Sequence, residues 1–195
     1  MLIPILLALR VVAWIAACVL IADLISGLIH WAEDRYGSEH WWLVGPLIIA
    51  PNLLHHDQPR AFLVNGWWKA NDLQLIAGAA LLAIAGLAGV LTWQLALIVV
   101  LAAHINTVHQ WAHRSPAENG RLITALQRTG LLQSRADHGR HHGGRRDSHY
   151  CALTGWLNPL LERIRLWRGL EAAIAALTGQ QPRIDPTVAA RLARG

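Results

Sequence analysis

The chain is short of several residue types that soluble domains use freely. Only 15% of its 195 residues are charged, against about a quarter in typical globular domains. That shortage, set beside 54% hydrophobic residues, excludes an ordinary solvated globule and points to a small integral membrane protein of one domain. Cysteine is almost missing. Cys18 and Cys151 lie far apart with no CxxC pair, which excludes a disulfide framework and a thiolate zinc site. The chain has no H-E-x-x-H, the signature of zinc proteases. It also has no E-x-x-H, the signature of soluble carboxylate-rich di-iron bundles. Aromatic usage is lopsided: one phenylalanine and two tyrosines stand beside ten tryptophans. Most of those tryptophans flank apolar runs, as in a headgroup-level aromatic belt.

What is present is a set of long apolar runs. Residues 11–29, VVAWIAACVLIADLISGLI, are of spanning length and carry one charge, Asp23. No small-residue cleavage site follows, so this span is expected to be retained. Residues 73–91 carry no charge, and residues 93–111 are largely apolar until the polar groups of their last turns. With Thr92 alone between them, the two predict a tight helical hairpin. WWLVGPLIIAPNLL at 41–54 is too short to cross and holds two prolines, which predicts a re-entrant or interfacial segment. The fold class expected is therefore an all-α integral membrane protein. It has about three transmembrane helices, a re-entrant or interfacial segment and a cytoplasmic histidine-rich helical cap over 113–178. Within the cap, residues 157–178 include an amphipathic basic helix expected on the cytoplasmic leaflet. The tail 179–195 reads as a loose terminus.

Charge sets the orientation. Thirteen of the seventeen Lys and Arg residues, but only six acids, lie after His113. The positive-inside rule puts this segment in the cytoplasm and, counting back, the N-terminus outside. The arginines lie beside spans and no nucleic-acid-binding motif accompanies them, so no nucleic-acid partner is expected despite the net charge of +5.

The same count brings most of the eleven histidines to one membrane face. His109 and His113 are spaced i, i+4, and His138, His141 and His142 follow i, i+3, i+4, so each set shares a helix face. His30 and Asp34 are also i, i+4, and His55 and His56 are adjacent before Pro59. Neutral imidazole is the commonest protein metal ligand. Eight such residues exceed one tetrahedral site and suffice for two metals with open positions. Asp34 is the carboxylate expected nearest the metals. Asn71 and Asn106 could reach a metal through water, or could serve as a helix cap and an interhelical bond. His40 reads as interfacial and His104 as a satisfied core residue, while His149 could reach the site but no spacing requires it.

DLISGLIHWAEDRYG, LLHHDQP, NTVHQWAH, SRADHGRHH and HYCALTGWLNPLLE appear in that order. This order resembles the Kua/CarF lipid desaturase family, with its plasmanylethanolamine desaturases and its plastid desaturases of phosphatidylglycerol palmitate. The resemblance implies an oxygen-dependent membrane lipid desaturase that introduces a double bond into an acyl or alkyl-ether chain of a phospholipid. It implies two iron ions, molecular oxygen, and an electron donor of cytochrome b5 or ferredoxin type with its reductase. It carries eight ligand and catalytic positions onto His30, His55, His56, His109, His113, His138, His141 and His142. It also places Asp34, Asn71 and Asn106 at the cofactor. Where the vinyl-ether branch has an acid directly before the proline, this chain has Gln58 before Pro59. Its GLLQSRADHGRHH stretch looks more like the plastid branch. The alternatives are a di-iron lipid hydroxylase using the same ligands and a zinc-dependent membrane hydrolase.

Overall fold

The computed structural model describes residues 2–194, and among these every regular element is helical. Three helices are long and apolar enough to cross a membrane: Leu2–Tyr36, Trp67–Leu87 and Trp93–His113.

The first, α1 (Leu2–Tyr36), is 35 residues, or about 52 Å at 1.5 Å per residue. A hydrocarbon core of about 30 Å cannot cover it. The expected span of 11–29 is thus the middle of a longer helix. Its N-terminal half exposes Leu6, Leu9, Val12 and Trp14. From Cys18 onward a stripe at helical spacing is buried: Ala22, Ser26, His30 and Asp34, with Asp23, Gly27, Trp31 and Arg35 beside it. The helix continues past residue 29 because its polar residues fall on this stripe, where the cap covers them.

Asp23, the lone charge of the first span, has no solvent exposure. Its carboxylate accepts from the Leu153 amide (2.8 Å), the Thr154 amide (3.2 Å) and Thr154 Oγ1 (2.6 Å). A buried charge is tolerated only when it is bonded in this way. It ties α1 to an extended segment, residues 150–154, whose members are all buried. Gln133 and Asn158 hold the same segment by donating to the Cys151 carbonyl at 2.6 and 2.8 Å.

Leu43, at φ 63, turns the chain into a π-helical turn, Gly45–Ile49, and then α2 (Ala50–Asp57). Pro46 and Pro51 each sit in a first turn, where the missing N–H has no partner to lose. Trp42, Leu43, Val44 and Leu47 are exposed, consistent with the interfacial reading of 41–54.

α3 (Trp67–Leu87) and α4 (Trp93–Ala103) form the hairpin. Its connection is longer than the single Thr92 expected. Gly89 (φ 70) follows the end of α3, and Thr92 caps α4 by accepting from the Leu95 amide. A Cβ on Gly78 would lie 3.0 Å from Val99 Cγ1, so glycine allows the close approach of α3 to α4. His104 breaks the third span into α4 and α5 (Ile105–His113), and its Nδ1 bonds to the Val100 carbonyl at 2.8 Å.

The cap contains α6 (Pro116–Arg128), α7 (Arg135–His142), α8 (Leu157–Arg163) and α9 (Leu166–Thr178). Ser115 and Glu118 form a capping box, and Ser134 caps α7 through the Asp137 amide. Within 157–178 the amphipathic helix is α9, set off from α8 by a turn. Arg165 is left-handed (φ 55), and the turn sends Trp167, 2% exposed, into a core with Trp31, Tyr150, Cys151 and Leu161. The tail expected to be loose is docked: α10 (Pro186–Leu192) follows Asp185, and Val188 is buried. Scattered arginine, aspartate and proline give no apolar periodicity, so only the tertiary bonds reveal this.

Candidate metal centre

Four elements bring the eight histidines together. α1 supplies His30 and Asp34, α2 supplies His55 and His56, α5 supplies His109 and His113, and α7 supplies His138, His141 and His142. They form two adjoining groups. One holds His55, His109, His113, His138 and His142; the other holds His30, Asp34, His56 and His141. Within each group the nearest ligand atoms all lie within 4.8 Å of one another. Neighbours in a helix point about 100° apart, which is why His55 and His56 join different groups, as do His141 and His142. The i, i+4 pairs stay together.

Hydrogen bonds on the far side of the rings fix their inward nitrogens. The Nδ1 of His30 faces the Tyr150 carbonyl at 3.1 Å, that of His55 the Asn52 carbonyl at 2.6 Å, and that of His141 the Ser148 carbonyl at 2.8 Å. A carbonyl only accepts, so the ring proton sits on Nδ1 and Nε2 presents a lone pair inward. His30 Nε2, His55 Nε2 and Asp34 Oδ2 are buried without a hydrogen-bond partner. Asp34 Oδ2 lies 3.4 to 3.7 Å from the Nε2 atoms of His141, His56 and His30. His141 and His56 bring their Nε2 atoms to 3.1 Å. In the larger group His138 Nε2 lies 2.8 Å from that of His109 and 3.0 Å from that of His142. Acceptors converging in a dry interior repel one another unless a cation lies between them. The donor set, imidazole nitrogens with one carboxylate, suits iron, zinc, copper or nickel.

Burial also keeps the rings neutral, the form that binds metal. It pushes His55, His138 and His141 well below the ordinary histidine range, with neighbouring histidines adding to the effect. His142 is pushed down to about 2 by burial and then by His113 and other nearby histidines.

Several residues at the site gave no sequence signal. Asn52 Nδ2 donates to Asp34 Oδ1 at 2.6 Å, which leaves Oδ2 for the histidines. Asn52 lies three residues before His55, but one asparagine between prolines has no pattern to identify it. Phe62, the single phenylalanine, stands 4.9 Å from the His109 ring and 5.4 Å from that of His113. Asn71 and Asn106 meet in the contact of α3 with α5, and Asn71 Oδ1 is buried without a hydrogen-bond partner. Asn71 Nδ2 donates to the Trp67 carbonyl and to Thr107 Oγ1, and Asn106 Nδ2 donates to the Ala70 carbonyl. His40 is exposed. His149 turns its Nδ1 to Ser148 Oγ and joins neither group.

A family model described as a lipid desaturase domain matches residues 19–185. The chain is 32% identical to plasmanylethanolamine desaturase 1 of Mus musculus over 187 residues, 90% of this chain and 69% of that protein. It is 31% identical to a probable fatty acid desaturase of Acanthamoeba polyphaga mimivirus over 84% of this chain and 82% of that one. To the chloroplastic fatty acid desaturase 4-like 1 of Arabidopsis thaliana it is 34% identical, over 83% of this chain and 55% of that one. No solved structure matches the chain.

Proposed function

Because the chain belongs to the lipid desaturase family, we propose that its two histidine groups hold two iron ions that use molecular oxygen to place a double bond in a phospholipid chain. The coarser statement follows from the family: this is a membrane oxidoreductase that desaturates a lipid. The observation that carries the finer reading is the pair of adjoining groups, nine ligand-capable side chains from four helices, with His30 Nε2, His55 Nε2 and Asp34 Oδ2 buried and unbonded among them.

Bound iron and oxygen would supply an oxidant able to take hydrogen from an unactivated CH₂, and loss of hydrogen from the neighbouring carbon leaves the double bond. The chain's own residues do the rest. His55, His109, His113, His138 and His142 would hold one ion, and His30, Asp34, His56 and His141 the other. The carbonyls of Tyr150, Asn52 and Ser148 orient three of these rings. Tyr150, Trp31 and Trp167 pack behind His30 and His141 and keep water from that side. The smaller group is wholly buried, while His109 and His142 of the larger group are part-exposed, His109 beside Phe62. The lipid chain therefore approaches the larger group.

The substrate is a phospholipid acyl or alkyl-ether chain, a reading supported by relatives named for both plasmanylethanolamine and fatty acid desaturation. The basic excess after His113 supports a cytoplasmic site. The electron donor is of cytochrome b5 or ferredoxin type, with its reductase. Elemental mass spectrometry on gently purified protein should find about two irons per chain. Lipid profiling of expressing cells should find phospholipids lighter by two hydrogens. Zinc alone, retained when iron is supplied, would overturn the reading in favour of a hydrolytic site; hydroxylated lipid with two irons would replace desaturase by hydroxylase.

A further inference from the structure

The segment after α9 supplies no residue to either ligand group, yet it lies against the more buried one. Arg183 Nε donates to the Asp34 carbonyl at 3.0 Å. Its Nη1 donates to the Gly37 carbonyl at 2.8 Å, and its Nη2 to the carbonyls of Glu33 (3.0 Å) and Asp34 (2.6 Å). Glu33 and Asp34 lie in the last turn of α1 and Gly37 just follows it, where carbonyls run short of helical partners and a cation also suits the helix dipole. Two residues later Asp185 Oδ2 stands 3.3 Å from His56 Nδ1 and 3.0 Å from Arg146 Nη1. Its Oδ1 accepts from the Val188 amide at 3.1 Å, which starts α10 and seats Val188. Thr187 Oγ1 and Arg146 both bond Asp57 Oδ1, at the end of the helix that carries His56. The segment is thus fastened to α1 on one side and α2 on the other.

His56 also differs from its companions. His30 and His141 turn Nδ1 to backbone carbonyls. Among the described residues of the two groups, only His56 turns Nδ1 to a carboxylate. A carboxylate behind a ligating imidazole fixes its tautomer and raises its basicity.

We propose that Asp185 is a positioning residue of the metal centre: it accepts the Nδ1 proton of His56 and so directs the Nε2 lone pair toward Asp34 and His141, with residues 183–188 strapping it in place. The proposal rests on the reading that the smaller group holds a metal ion. The test is titration of the metal-free, full-length protein in detergent with cobalt(II), followed by its visible absorption. Wild type should take up two equivalents with distinguishable spectra. D185N keeps the side-chain size and the ability to cap α10, but it loses the charge that His56 faces. It should bind one equivalent as wild type does and the other about 10- to 100-fold more weakly with an altered spectrum. D185N also loses the Arg146 ion pair, but Arg146 keeps Asp57, so the unfolding midpoint of the metal-free form should change little. If that midpoint falls, V188A, which loosens the same helix without touching the carboxylate, measures the purely structural effect. D185N must then weaken cobalt more than V188A does at equal loss of midpoint. Equal cobalt affinity and spectra in wild type and D185N overturn the proposal. No cobalt bound by wild type overturns the reading beneath it.

Discussion

Adjacent histidines in this chain serve different groups: His55 and His56 part, and so do His141 and His142. The spacing i, i+4 made the pairs 109/113 and 138/142 legible as pairs. The division into five and four depends on how four helices face one another, which spacing alone does not encode. Asn52 is the clearest case of a residue the sequence left silent. Its amide fixes Asp34 Oδ1 while its carbonyl takes the His55 ring proton, so it touches both groups. Replacing Asn52 with Ala removes the first bond and keeps the second. Metal affinity of the smaller group should fall by about 10- to 100-fold, with little change in the larger one, as read by titration with cobalt(II). Replacing His141 with Ala removes a proposed ligand: on the two-iron reading, one iron should be lost on elemental analysis and desaturation should stop. Full lipid desaturation by that variant would remove His141 from the site.

At the scale of elements, the three spans were legible because a bilayer demands length and apolarity, both visible in a one-dimensional string. Their ends were less so. α1 runs past its apolar stretch because the cap shields His30, Asp34 and Arg35, and a cap is a tertiary fact. Its contact with residues 150–154 is correspondingly sensitive. A Cβ on Gly27 would lie 2.6 Å from Cys151 Sγ and 3.2 Å from both the Cys151 amide nitrogen and the Trp167 ring. Gly27→Ala should therefore cost about 1–3 kcal/mol by overpacking, seen as a lower thermal midpoint in detergent. Gly169, inside α9 with open space where its Cβ would be, is the control: Gly169→Ala should not lower the midpoint, because alanine is the better helix former by about 0.5–1 kcal/mol.

The molecule as a whole couples its centre to acidity. His55, His138 and His141 are held below their ordinary value by burial, and His142 is pushed down to about 2. The unfolded chain binds these protons near pH 6.5, whereas the folded chain resists them. Stability of the metal-free protein should therefore be full above about pH 6.5 and decline as pH falls below it. Denaturant unfolding of metal-free protein at pH 7.5 and 5.5 tests this, and an unchanged midpoint would mean that the rings do not stay neutral in the fold. The tail has a consequence for the order of events in biosynthesis. The ligands are spread from residue 30 to residue 142, whereas Arg183 and Asp185 leave the ribosome after all of them. Every candidate ligand is thus synthesised while the nascent protein is still unfastened at that end, so the last residues made lock together helices whose ligand-bearing parts already exist.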